Sequence, residues 1–172
     1  MSDPIIKSVK GKEPIFGDDQ FLADNATIVG DVRTGDHRSF WFNSVIRGDV
    51  NSIRIGDKVN VQDGAVIHCT YQRSKTIIGD NVSIGHNAIV HGCKVEDNVL
   101  IGMNSLIMDD AIIGENSIIA AGAVILENTK VEAGSIYAGV PAKKVKDINK
   151  EKFEGEVKRI ANNYVKYSGW YK

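Results

Sequence analysis

Aliphatic residues recur at every sixth position along most of the chain. The anchors of this frame are Ile55, Val61 and Ile67, then Ile78, Ile84 and Val90, and then Val95, Ile101, Ile107, Ile113, Ile119, Ile125 and Val131. A small or β-branched residue follows most anchors by four positions, as Ala65 and Ala88 do. A period of six is neither that of a helix nor that of a simple strand. It is typical of a short strand plus a tight turn, so the sequence predicts an all-β fold of triangular coils stacked as a parallel β-helix.

Glycine often comes directly after an anchor. This holds at Gly56, Gly79, Gly85, Gly102 and Gly114. Because glycine adopts positive φ without a steric penalty, we expect it to supply that conformation at the corners of the coils.

The frame is weak at its start and is broken near its end. At six-residue steps Val29 leads to Trp41 and Arg47, so we expect irregular early coils, and an arginine at an anchor position needs a charged partner. We therefore predict one structural domain, with the β-helix over 1–142 and a C-terminal helix over 143–172 packed along it. The helix should bury one face, made of Phe153, Val157, Ile160 and Tyr164.

Composition agrees with a β fold and narrows the class of protein. The chain has 22 Ile and 18 Val but only 4 Leu, and β-branched residues suit strands. A net charge of −1 argues against a nucleic-acid or membrane-surface binder. Residues 1–12 have no signal-peptide apolar core, so we expect a cytoplasmic protein. The two cysteines, Cys69 and Cys93, form no CxxC motif and are expected to be small buried residues.

Two histidines occupy the same place in the frame. His68 follows anchor Ile67, and His91 follows anchor Val90. The polar residues 71–75 interrupt the frame and are expected to form a loop outside it. Without this loop Val90 is three steps after Ile67, which is one full coil. His68 and His91 should then stack on one face, roughly 4.8 Å apart, where two imidazoles can share a metal ion.

A third histidine lies on a different face of the predicted coil. His86 follows anchor Ile84, which belongs to the face between, so within one chain His86 should not reach His68 and His91. A catalytic zinc site needs three protein ligands and an open position. Packing of copies about a threefold axis would bring His86 of one chain to the histidine pair of the next. His37, in a polar turn, is expected to have no such role.

Several motifs together resemble the γ-class carbonic anhydrases. They are Arg47-Gly48-Asp49, Asn60-Val61-Gln62-Asp63 followed by His68, Gly85-His86, and Val90-His91-Gly92-Cys93. The resemblance runs from about Pro14 to Ala142 and implies a left-handed β-helix and a homotrimer. It also implies zinc between subunits, held by His68 and His91 of one chain and His86 of the next. Ferrous iron or cobalt could fit the same ligands.

The resemblance also implies roles around the metal. Gln62 would hydrogen-bond the metal-bound water or substrate, and Asn60 would line the site. Arg47, Asp49 and Asp63 would form ion pairs at the subunit interface, for which a purely structural network is an equal interpretation.

Tyr164 is a candidate because of its position on the predicted helix and not because of the resemblance. As part of the buried helix face, Tyr164 could approach the site. Simple helix packing is the alternative interpretation.

The predicted function is the reversible hydration of CO2 to bicarbonate by a metal-bound hydroxide at the trimer interfaces. The best-studied active enzymes of the class carry a long acidic loop with a proton-shuttling glutamate. This chain has only Thr70–Lys75 there, without a carboxylate, and Val50 where those enzymes have an acidic residue. Proton export, and hence turnover, should therefore be slow or absent. The alternatives are a hexapeptide-repeat acyltransferase or thioesterase, and a non-catalytic, metal-stabilised trimeric assembly protein.

Overall fold

The chain winds as a three-sided solenoid of short strands, seen in a computed structural model that describes residues 3–171 apart from the side chains of residues 150–152 and 154. The strands are β1 (Ile5–Lys7), β2 (Phe21–Leu22), β3 (Thr27–Thr34), β4 (Ser39–Phe40), β5 (Val45–Ile55), β6 (Asn60–Val61), β7 (Val66–His68), β8 (Thr76–Ile78), β9 (Ser83–Ile84), β10 (Ile89–His91), β11 (Lys94–Val95), β12 (Leu100–Ile101), β13 (Leu106–Ile107), β14 (Ile112–Ile113), β15 (Ile118–Ile119), β16 (Val124–Ile125), β17 (Lys130–Val131), β18 (Ser135–Gly139) and β19 (Ala142–Asp147). Helix α1 (Lys150–Ser168) and a 3-10 turn (Gly169–Tyr171) follow.

The strands stack in parallel on three faces. Face one contains β1, the first halves of β3 and β5, and then β7, β10, β13 and β16. Face two contains the second halves of β3 and β5, and then β8, β11, β14 and β17. Face three contains β2, β4, β6, β9, β12, β15 and β18. This arrangement confirms the parallel β-helix with a C-terminal helix that the six-residue frame predicts.

The anchors fill the interior of the solenoid. Ile67, Ile84, Ile101, Ile107 and Ile119 are fully buried, and the residues on either side of each anchor along a strand point away from the interior. In the early coils the predicted frame is wrong by one residue. Ile46, not Arg47, points inward, so the Arg47 side chain is 45% exposed instead of lying in the core.

The corners are built differently from the expectation. Among non-glycine residues positive φ is most frequent at asparagines, including Asn81, Asn98 and Asn116, because asparagine tolerates the left-handed region. The glycines after the anchors have another role, which is close approach between coils. A Cβ at Gly85 would lie 2.7 Å from the backbone nitrogen of Met103, and one at Gly114 would lie 2.6 Å from that of Ala133.

An antiparallel strand closes the C-terminal end of face three. After β18 the chain reverses at Val140 and Pro141, and β19 pairs antiparallel with β18. The helix consequently begins at Lys150 rather than at residue 143, because residues 142–147 cover a strand edge that would otherwise be open. The division of the chain at residue 142 stays a prediction.

Helix α1 lies along the outside of face three. It packs against β4 and β9. Phe153, Val157 and Ala161 are buried, whereas Ile160, which the sequence pattern favoured, is only partly buried. The Tyr164 ring contacts the Trp41 ring edge-on, with 5.3 Å between centroids. Within the described residues, no helix is long and apolar enough to cross a membrane.

Substitutions at inward positions should lower the free energy of unfolding much more than substitutions at outward positions. Ile101→Ala removes a fully buried anchor, and we expect it to lower the free energy of unfolding by about 2–5 kcal/mol. Ile77→Ala is the matched control, since Ile77 points outward and is 44% exposed, and should cost less than about 1 kcal/mol. Urea unfolding followed by circular dichroism at equal protein concentration measures both. Equal losses would contradict the assignment of the interior.

Candidate metal centre

Two histidine side chains meet on the outer surface of face one. Strands β7 and β10 are neighbours, and His91 lies opposite His68 in their parallel register. Because Ile67 and Val90 point inward, the histidines that follow them point outward. His68 Nδ1 and His91 Nε2 are 3.2 Å apart. The predicted stacking of His68 on His91 is thus present in the structure.

Each histidine of the pair contacts a carboxylate through its other ring nitrogen. His68 Nε2 lies 3.1 Å from Asp49 Oδ1, and His91 Nδ1 lies 3.1 Å from Asp109 Oδ2. An ionised carboxylate only accepts hydrogen bonds, so each of these contacts requires a proton on the imidazole. Two neutral imidazoles carry two protons in total. The two outer contacts use both, and the inner nitrogens then face each other with lone pairs.

Asp49 is held by the neighbouring arginine. Arg47 donates a hydrogen bond of 2.6 Å to Asp49 Oδ2. Burial alone would raise the pKa of Asp49, but the hydrogen bonds from Arg47 and His68 outweigh it, so this pKa lies below its usual value. Arg47 and Asp49 therefore pair within one chain. A role at a subunit interface stays a prediction.

Asp109 is a site residue that the sequence analysis missed. It is 8% exposed, and it receives hydrogen bonds from the Thr70 hydroxyl at 3.1 Å and from the Ser74 hydroxyl. Burial would raise the pKa of Asp109, but the bond from Ser74 and the interactions with His91 and Thr70 bring it below its usual value. The signal in the sequence is its position two residues after anchor Ile107, close to the solenoid, where a buried carboxylate needs partners.

The environment of His68 favours the neutral imidazole. Partial burial lowers the pKa of His68, and this effect outweighs the hydrogen bond to Asp49, which acts in the opposite direction. A neutral imidazole keeps a nitrogen lone pair available, which is the form that coordinates metal ions.

His86 lies elsewhere, at the corner between face three and face one. It follows β9, and its Nδ1 lies 2.9 Å from Asp63 Oδ2. Among the residues that the structure describes, no group of three or more histidine, cysteine or acidic side chains could hold a metal ion. One chain therefore carries the predicted ligands in two separate places, as the count of coils led us to expect. Asp63 has His86 as its partner, whereas the partner of Arg47 is Asp49.

Gln62 and Asn60 form a buried polar chain next to the His86 corner. Gln62 donates from Nε2 to Asn60 Oδ1 at 3.0 Å, and Asn60 donates from Nδ2 to Ser83 Oγ at 2.7 Å. The hydrogen bonds from Gln62 to Asn60 and from Asn60 to Ser83 therefore fix the orientation of the Gln62 amide. The Gln62 backbone N–H bonds the Ile84 carbonyl, so Gln62 lies on the coil next to the one that bears His86.

Tyr164 approaches the same corner from helix α1. Burial, and then the negative charge of Asp63, raise the pKa of Tyr164 to about 12. Its phenol is consequently protonated at neutral pH and can donate a hydrogen bond, but it cannot act as a base.

The cysteines lie in the interior. Cys69 and Cys93 are both buried, and burial raises the pKa of each thiol, to about 12 for Cys93. Protonated, buried thiols are poor metal ligands, and the expectation of small buried residues is confirmed.

Comparison with known proteins places this geometry in a family. The family model described as bacterial transferase hexapeptide (six repeats) matches residues 75–107 and 92–127. A protein of Methanocaldococcus jannaschii named "Probable carbonic anhydrase" is 51% identical over 85% of this chain and 89% of its own length. The mitochondrial gamma carbonic anhydrase 2 of Arabidopsis thaliana is 34% identical over 93% of this chain, which spans 59% of that protein.

A solved structure agrees with these relatives in fold. A Bacillus cereus protein that is provisionally named an acetyltransferase superimposes with a TM-score of 0.93 and 39% identity, over 99% of this chain and 98% of its own. The identities to named carbonic anhydrases extend over most of the chain and include the solenoid that carries the histidines, and the chain therefore belongs to the γ-class carbonic anhydrase family of hexapeptide-repeat proteins.

Proposed function

We propose that this protein is a zinc-dependent carbonic anhydrase whose sites lie between the subunits of a homotrimer. His68 and His91 of one subunit, together with His86 of the partner subunit, would be the three ligands. The observation that carries the proposal is the pair of inner imidazole nitrogens, 3.2 Å apart, whose outer nitrogens are both engaged by carboxylates. With both outer protons committed, a cation between the inner nitrogens removes the repulsion of their lone pairs.

The donor set fits zinc. Two nitrogens bound tetrahedrally to one zinc ion, each about 2.0–2.1 Å from it, lie about 3.4 Å apart. The 3.2 Å between His68 Nδ1 and His91 Nε2 is close to this separation. Imidazole nitrogen suits zinc, and ferrous iron and cobalt accept the same ligands. The carboxylates of Asp49 and Asp109 are the outer partners that metal-binding histidines commonly have.

An apolar strip supports the trimer. Side chains directly before the anchors of face one point outward and lie opposite one another in register; they are Val45, Val66, Ile89, Leu106 and Val124. Ile89 is 39% exposed. The strip lies between the corner that bears His86 and the column that bears His68 and His91. Packing of copies through it about a threefold axis brings the His86 corner of one subunit towards the histidine pair of the next.

The residues around His86 would enter the site with it. Gln62, oriented by Asn60, can donate from its amide to an oxygen of CO2 or bicarbonate. Asp63 Oδ2 lies 2.9 Å from His86 Nδ1, and this contact would leave the other ring nitrogen of His86 available to the metal. Tyr164, protonated and close to Asp63, would help to set the Asp63 carboxylate.

Zinc, when bound by three neutral imidazoles, would lower the pKa of a coordinated water towards about 7 and so supply the nucleophile for CO2 near neutral pH. The chain offers little for the export of the proton. Residues 70–75 contain no carboxylate, and Val50 is apolar. We therefore expect a low rate of hydration, limited by proton transfer to buffer.

Thioester hydrolysis or acyl transfer is the second candidate. It is favoured by the acetyltransferase name of the Bacillus cereus structure and by the transferase name of the matching family model. The same nucleophile could attack an acyl thioester. A trimer that binds metal but turns over neither substrate would correspond to an assembly role.

Mixing of subunits tests whether the site is shared. His68→Ala and His86→Ala trimers should each lack zinc, and unfolding and refolding them together should give mixed trimers with about one zinc each, because one interface regains all three ligands. Zinc per trimer, from native mass spectrometry, is the readout.

The matched control for mixing combines His68→Ala with His91→Ala. Both substitutions remove a ligand that the same subunit supplies, so no interface regains the complete pair of His68 and His91, and zinc should stay absent. Zinc binding in the control, or none in the first mixture, would contradict a site shared between subunits.

Stopped-flow assays separate the candidate functions. Zinc- or iron-loaded protein should hydrate CO2 faster than buffer alone. His91→Ala should abolish this rate because it removes one of the two ligand nitrogens, and chelation should abolish it because it removes the metal. Bound metal with no hydration but with hydrolysis of acetyl-CoA would favour the thioesterase. Bound metal with neither activity would favour the assembly role.

A further inference from the structure

The loop between β7 and β8 is tied to the coil that follows His91. The Ser74 hydroxyl donates to Asp109 Oδ1, and the Thr70 hydroxyl donates to Asp109 Oδ2. Ser74 is buried, and its hydroxyl also accepts the backbone N–H of Thr70 at 3.0 Å. The two ends of the short loop thus close around a single carboxylate.

That carboxylate has no remaining freedom of orientation. Asp109 uses Oδ1 for Ser74 and uses Oδ2 for both Thr70 and His91. Since both oxygens are engaged, rotation about the last side-chain bond would break at least one hydrogen bond. The direction of the His91 ring, and therefore of the Nε2 atom that faces His68, follows from the position of Asp109.

The backbone beside His91 leaves room for this arrangement. Gly92 has φ +55°, and a Cβ at this residue would collide with Asp109 Oδ1 and Ser74 Oγ. The Thr76 hydroxyl accepts the Gly92 N–H at 3.0 Å and donates to the His68 carbonyl at 2.6 Å. The loop, Gly92 and Thr76 together connect the ends of the two histidine-bearing strands.

We infer that Asp109 is the positioning residue for His91 and that the loop of residues 70–75 acts on the metal centre by holding Asp109. This inference rests on the proposed metal site. It gives the short loop a function other than proton transfer, for which it has no carboxylate. Asp109 touches neither metal nor substrate, and it acts only by fixing which nitrogen of His91 is protonated and where the other nitrogen points.

A purely stabilising loop is the competing explanation, and the loop offers a matched control. Arg73 also binds the following coils, with contacts of 3.3 Å to Asp110 and 3.0 Å to Glu127. These groups are exposed, so their contribution to stability is small. Arg73→Ala therefore removes a loop contact without touching Asp109, whereas Ser74→Ala removes one that does.

Zinc affinity of the trimer, measured by competition with a chromophoric chelator, tests the inference. Asp109→Ala should raise the Kd for zinc about 10- to 100-fold, because the outer partner of a ligand is lost. Ser74→Ala should raise it about 3- to 10-fold, a smaller effect than that of Asp109→Ala, because Asp109 loses one donor but keeps its contacts with Thr70 and His91. Arg73→Ala should stay within about twofold. Asp109→Asn keeps an acceptor oxygen for His91, so its Kd for zinc should lie between those of Asp109→Ala and the parent chain.

A second readout needs no metal and remains decisive if the parent chain binds no zinc, a result that would overturn the proposed function alone. Nitrogen-15 NMR of metal-free protein should show His91 protonated at Nδ1 in the parent and in Arg73→Ala. Asp109→Asn and Ser74→Ala should shift or broaden this signal, while circular dichroism shows the fold retained. An Nε2–H tautomer in the parent, or identical His91 signals and zinc affinities in Ser74→Ala and Arg73→Ala, would overturn the inference.

Discussion

The stacking of coils in exact parallel register is the constraint on which the site depends. Backbone hydrogen bonds join neighbouring coils, as from the Ile89 N–H to the Ser105 carbonyl and from the Gly92 N–H to the His68 carbonyl, and the anchor side chains permit only one parity of inward and outward positions. Since Val90 lies over Ile67, His91 must lie over His68. A shift of one residue would bury both imidazoles in an apolar interior, so the hydrophobic frame that stabilises the solenoid also holds the two nitrogens together.

The electrostatics of the site follow from what surrounds this pair. A row of Asp49, His68, His91 and Asp109 has three contacts, and two neutral imidazoles would supply protons for only two of them. Each ionised carboxylate can only accept from the ring nitrogen that faces it, so with neutral imidazoles the contact left without a proton is the inner one. In the proposed site one chain would supply two of the three ligands on a face lined by aliphatic residues, and the third imidazole lies at the next corner, with its Nδ1 2.9 Å from Asp63 Oδ2.

Counting along the sequence was enough to predict features that depend on periodicity. It predicted the parallel solenoid, the stacking of His68 on His91 and the separation of His86. It failed where a contact joins segments outside the frame. Asp109 meets Ser74 and Thr70 only because the loop folds back, and a period of six contains no information about an excursion from it. Arg47 was assigned to the interior because the early coils shift register near Gly30, where β3 runs through a corner. The frame predicts positive φ at the glycines directly after the anchors. At Gly85 and Gly114, however, glycine is required because a Cβ would collide with the backbone of the next coil.

The most direct test of a zinc site shared between subunits is anomalous diffraction at the zinc edge from crystals of the zinc-loaded protein. We predict one peak at each of three equivalent interfaces, about 2.0–2.1 Å from His68 Nδ1, from His91 Nε2 and from a ring nitrogen of His86 of the partner subunit. Zinc bound by residues of one chain alone, or interfaces in which His86 faces solvent away from the metal, would contradict it.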